Sequence, residues 1–176
     1  MNLVMALEMA AECHPQRIAV SSGGVRLTYA DILNAARAGA QIIREAGVKY
    51  VGLLDVNSPV VPVALFAAAY AGVPYVPMNY RLTKLELEAL LGRIAPALLI
   101  SDAAVLAPLK VPSGVQVMLR DEFQRVALAS QPEAMSEDGF TMELITTSID
   151  WRLAKPLSVG PYSMPLSPMR WQSMHD

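Results

Sequence analysis

Residue types able to do chemistry are sparse in this chain and far apart. The two histidines, His14 and His175, stand near opposite ends, and the single cysteine, Cys13, sits beside the first. Neither a nucleophile with its base nor a zinc-ligand set can be built from that spacing. His14 precedes Pro15 and reads as a polar residue at a helix end. Asp55 closes a short apolar run, where α/β sheets place ligand-binding groups, although strand-end acids also cap turns. Tyr80 and Arg81 set a ring beside a cation in a loop and read as packing. Met5, Met9 and Met78 read as core filler rather than as a binding surface.

These residues need elements to position them, and the chain is organised around Val51–Arg81. Val51 to Asp55 is a buried-strand run that ends at the turn signal Asn57-Ser58-Pro59. Val60 to Ala71 is helix-like and apolar on nearly every side, Gly72 stands where a C′ glycine belongs, and Pro74 to Met78 is a second apolar run. A helix with no polar side must be covered all round, which places it between a parallel sheet and further protein. No charged residue occurs between Asp55 and Arg81, as in a membrane span. The prolines and glycine at 59, 62, 72, 74 and 77 cut the run well below the roughly 20 residues a span needs.

The same reading extends in both directions. Leu3, Leu7 and Met9 to Ala11 give an amphipathic first helix. Ile18 to Val20 and Val25 to Leu27 flank Ser21-Ser22-Gly23-Gly24 as a hairpin. Thr28 with Asp31 opens a helix to about Glu45 as a capping box, with Ile32, Ala35, Ala36, Gly39, Ile42 and Ile43 buried and Arg37, Gln41, Arg44 and Glu45 facing water. Thr83 with Glu86 opens another, whose core face is Leu85, Leu87, Leu90, Leu91 and Ile94. Strands at Ala97–Ser101 and Val115–Leu119 alternate with helices at Ala103–Leu109 and Asp121–Ala129. The predicted class is α/β: a partial doubly wound, mostly parallel sheet with helices on both faces and an irregular C-terminal tail.

Composition narrows the function classes. Apolar residues make up 53% of the 176, the net charge is −2 and the pI is about 5.7. There is material for a core, and no basic cluster to hold nucleic acid. One cysteine excludes an internal disulfide framework and suits a reducing, cytoplasmic setting. The first residues carry Glu8 and Glu12 without a basic leader, unlike a signal peptide.

Several motifs in order carry a resemblance. His-Pro-Gln-Arg-Ile-Ala-Val (14–20), Leu-Thr-Tyr-Ala-Asp-Ile (27–32), Asn57-Ser58-Pro59, Ala-Gly-Val-Pro-Tyr-Val-Pro (71–77) and Asn79-Tyr80-Arg81-Leu82-Thr83 resemble the N-terminal region of AMP-forming acyl-CoA synthetases, the adenylate-forming superfamily. The resemblance covers residues 1–147, the N-terminal α/β portion of an AMP-binding large domain. It implies ATP with magnesium and coenzyme A as cofactors: a carboxylate attacks the α-phosphate of ATP, and coenzyme A then displaces AMP. The family cradles phosphate in a loop of the form T-S-G-T-T-G-x-P-K, whose glycines let backbone amides approach the oxygens. The matching segment here is Thr147-Ser148-Ile149-Asp150-Trp151-Arg152-Leu153-Ala154-Lys155. Thr147, Ser148 and Lys155 keep the spacing of a degenerate phosphate loop, while the glycines are replaced and Asp150 and Trp151 add charge and bulk.

Residues 148–176 are rich in Pro, Ser and Met without periodicity, and are expected to be a disordered or loosely packed tail. The abrupt change after Ser148 predicts a shift of reading frame. The resemblance thus implies a truncated fatty-acid or acyl-CoA ligase, inactive alone and binding no cofactor itself. The alternative is a non-catalytic module that exposes apolar surface to a protein partner or to a second copy of itself.

Overall fold

The computed structural model describes residues 3–129. Thr147, Ser148, Lys155, His175 and the expected tail therefore lie outside the described residues. Helix α1 (Leu3–Cys13) buries Val4, Leu7 and Ala11, one stripe at helical spacing. That stripe leaves Met5 and Met9 on the solvent side, so the expectation that they fill the core is wrong, while Met78 is buried as expected. The strands β1 (Ile18–Ser22) and β2 (Val25–Thr28) form a separate antiparallel hairpin. Its tip needs Gly23 and Gly24, whose φ angles of +57° and +81° suit the twist of a two-residue turn and disfavour side-chain-bearing residues.

Helix α2 (Tyr29–Ala46) starts at the expected capping box: Thr28 Oγ1 accepts from Asp31 N at 3.1 Å, and Asp31 Oδ2 accepts from Thr28 N at 2.8 Å. Its buried surface includes Ala38 and Ala40 beside Ile32, Ala35, Ala36, Gly39 and Ile43 of the predicted stripe, while Ile42 of that stripe is only half-buried. Arg37 is a correction, for it does not simply face water. It donates to Glu8 of α1 at 3.2 Å and lies 5.7 Å from the ring centroid of Tyr70, whose hydroxyl donates to the same Glu8 oxygen at 2.6 Å. Burial foremost, with the Glu8 contact adding to it, pushes the Tyr70 hydroxyl well above the ordinary tyrosine range. The pattern of one helix cannot reveal that another helix brings a carboxylate over it.

Strands β3 (Tyr50–Leu54), β4 (Tyr75–Pro77), β5 (Ala97–Ser101) and β6 (Val115–Leu119) form one parallel sheet in the order β4-β3-β5-β6. Helices α3 (Val60–Ala71), α4 (Lys84–Ile94), α5 (Ala103–Leu106) and α6 (Arg120–Ala129) connect or follow them. Alternation along each strand divides the core. Val51, Leu53, Tyr75, Leu98 and Ile100 pack with α1, α2, α3 and α6, whereas Leu54, Val76, Leu99 and Val115 pack with α4. As its all-apolar sequence requires, no residue of α3 is exposed. Gly39 lets α2 approach closely: a Cβ built there would lie 2.8 Å from Ala67 Cβ and 3.0 Å from Phe123 Cζ.

On the other face, α4 opens with the predicted Thr83–Glu86 capping box and buries Leu87, Leu91 and Ile94. Leu85, expected in that stripe, is 77% exposed. Two residues before Leu87 is about 200° around the helix, so Leu85 points away from the face the others share.

The two edges of the sheet differ. β4 has three residues, follows Pro74 and ends in Pro77. β6 has five residues, Val-Gln-Val-Met-Leu, with neither proline nor charge, and Val117 and Leu119 remain 45% and 43% exposed. Among the described residues, β6 pairs only with β5.

Candidate functional site at the carboxyl ends of the strands

In a doubly wound sheet a ligand crevice opens at the carboxyl ends of the strands, where successive connections depart in opposite directions. Here β3 connects outward to β4, and the chain then returns to β5 on the other side of β3. The crevice position is therefore between the ends of β3 and β5, next to β6. Asp55 leaves β3, Asp102 leaves β5, and Arg120 leaves β6 as the first residue of α6.

These side chains meet. Arg120 Nη1 donates to Asp55 Oδ1 at 3.1 Å, Nη2 lies 3.0 Å from Asp102 Oδ2, and Nε donates to Asp121 Oδ1 at 2.9 Å. Asp55, whose side chain is 1% exposed, takes a second hydrogen bond on Oδ2 from Ser58 Oγ at 2.6 Å. Ser58 Oγ in turn accepts from Val60 N at 3.3 Å, a local side-chain turn just ahead of α3. Asp102 Oδ1 accepts from Ala104 N at 2.8 Å, capping α5. Ser101, fully buried, donates from Oγ to Leu54 O at 2.6 Å and ties the last residues of β5 and β3 together. The hydrogen bond to Asp121 foremost, with Asp55 adding charge and partial burial opposing, raises Arg120 above its ordinary value, so its guanidinium stays charged.

The cluster is internally complete. The guanidinium is distributed over three carboxylates and both oxygens of Asp55 are engaged, so neither Asp55 as a base nor Arg120 as an anion-binding cation is left available. Asp55 thus does what a strand-end acid does when it braces a turn. Tyr80 and Arg81 stack as an exposed pair, 5.5 Å from cation to ring centroid, on a loop whose Asn79 Oδ1 accepts from Arg81 N at 3.0 Å. Cys13 and His14 are both exposed, and His14 N donates to Ala10 O at the end of α1, consistent with a helix-end role. Two buried polar atoms have no hydrogen-bond partner among the described residues, Arg37 Nε and the Tyr75 hydroxyl, and the second lies near Asp55. Burial, with the charge of Asp55 adding to it, pushes that hydroxyl up to about 12.

Arg120 escaped sequence reasoning. Its signal is an acid at the end of each of two neighbouring strands and one base at the end of a third, visible only once the strand order is known.

The sequence pattern of the AMP-binding enzyme family matches residues 7–155. The chain belongs to that family. Feruloyl-CoA synthases of Amycolatopsis sp and Streptomyces sp are 35% identical to this chain over 116 residues, 59% of it and 24% of each of them. The chain therefore spans about a quarter of the length of these relatives. In structure it resembles a benzoate CoA ligase from Burkholderia xenovorans LB400 at TM-score 0.69 and 23% identity, covering 79% of this chain and 30% of that one. A Mycobacterium tuberculosis fatty acyl CoA synthetase gives TM-score 0.65 at 26% identity, over 82% of this chain and 32% of the other.

The described residues do not fit a nucleoside triphosphate. The loops leaving the carboxyl ends of β3, β4, β5 and β6 contain no glycine that would bring backbone amides close to phosphate, and the half-buried cation Arg120 at those ends is spent on acids. Among the described residues no cluster of acids, histidine and cysteine could hold a metal ion, and no helix is long and apolar enough to cross a membrane.

Proposed function

We propose that this chain carries the N-terminal sheet of an ATP-dependent acid–CoA ligase and acts as scaffold rather than as catalyst. In the parent reaction a carboxylate oxygen bonds to the α-phosphorus of ATP, pyrophosphate leaves, and a coenzyme A thiol then displaces AMP to give the thioester. The acid is proposed no more narrowly than a carboxylic acid, since the names of the relatives range over ferulate, benzoate and fatty acyl groups. The observation that carries the scaffold reading is the acid-rich cluster in which the one cation, Arg120, is fully engaged by Asp55, Asp102 and Asp121 at the position where the fold would open a ligand crevice, leaving net negative charge where phosphate would have to sit. Thr147, Ser148 and Lys155 remain the proposed vestige of the phosphate loop, with Asp150 opposing phosphate at close range. On this reading the chain alone neither adenylates an acid nor binds ATP.

The test is release of AMP from ATP, magnesium and coenzyme A with ferulate, benzoate and a series of fatty acids, together with titration calorimetry against ATP. The expected results are AMP formation equal to a protein-free blank and no heat of binding at micromolar ATP. Acid-dependent AMP formation would overturn the reading. Lys155→Ala would then ask whether the loop carries that activity.

A further inference from the structure

We draw no further inference here: the strongest candidate, the buried Tyr75 hydroxyl of β4 near the acid cluster at the carboxyl ends of the strands, lacks a partner only among the described residues and otherwise belongs to the site already described, whose acids are engaged by Arg120.

Discussion

The two faces of the parallel sheet are built to different depths. On one, four helices stack so that α3 has no exposed residue and Phe123 of α6 is completely buried near Gly39 of α2. On the other, α4 and the single turn of α5 cover strands whose last member still shows Val117 and Leu119 to solvent. Both faces draw on the same alternating strands, so the difference lies in the helices. A face covered by helices that themselves need covering becomes a core, whereas a face covered by one amphipathic helix stays a thin layer.

This contrast can be broken most severely from the thick side. Phe123→Ala removes a large, fully buried ring amid α2, α3 and the sheet, and is expected to cost about 3–5 kcal/mol in denaturant unfolding. Leu91→Ala, equally buried under α4, is expected to cost about 2–3 kcal/mol, near the low end for such truncations because the thinner layer can collapse into the gap. If Leu91→Ala proves as costly as Phe123→Ala, the thin face is no softer than the thick one.

The next effect concerns the residue that ties α6 to the strand ends. Arg120→Met leaves the Asp55 carboxylate buried with only Ser58 for company, and a loss of about 2–3 kcal/mol is expected at neutral pH. Adding Asp55→Asn to that variant is expected to recover a good part of the loss, because the uncompensated charge is gone. Thermal unfolding of the two variants side by side checks this. A double variant no more stable than Arg120→Met would show that the buried charge is not the cause.

A smaller, opposite effect is expected at Tyr75, whose ring lies on the thick side and whose hydroxyl lacks a partner among the described residues. Tyr75→Phe removes a desolvated polar atom, so a gain of up to about 1 kcal/mol is expected. The sign of the pH effect follows from linkage. Between the ordinary tyrosine value near 10 and the folded value of about 12, the unfolded chain gives up this proton while the folded chain keeps it, so stability falls as pH rises through that window. Chemical unfolding from pH 9 to 12 is therefore expected to decline less steeply for Tyr75→Phe. Parallel declines would remove Tyr75 as the cause. The smallest effect belongs to Leu85→Lys on the thin side, expected to lie within about 0.5 kcal/mol of the parent.

What the sequence revealed and what it withheld divide by range. Both capping boxes, Thr28 with Asp31 and Thr83 with Glu86, were legible because the partners are three residues apart and the hydrogen bonds satisfy local amides. The burial of α3 followed from its having no polar side. Leu85 departs from the apolar pattern because angular position and not side-chain type decides which face a helical residue joins, and Met9 because apolar character alone does not bury a side chain. Arg37 faces water on its own helix and meets Glu8 only because α1 lies across it. The Arg120 cluster joins groups as distant as Asp55, 65 residues away in the chain. Nothing short of the strand order brings them together.

That strand order also bears on how the chain comes off the ribosome. Every pairing in the four-stranded sheet is with a strand one or two places away in sequence: β3 with β4, β3 with β5, and β5 with β6. Each helical connection can lay down the next strand as soon as it emerges, with no need to wait for a distant partner. In a full-length ligase, such a unit would be assembled during translation, before the remaining three-quarters of the polypeptide had been made.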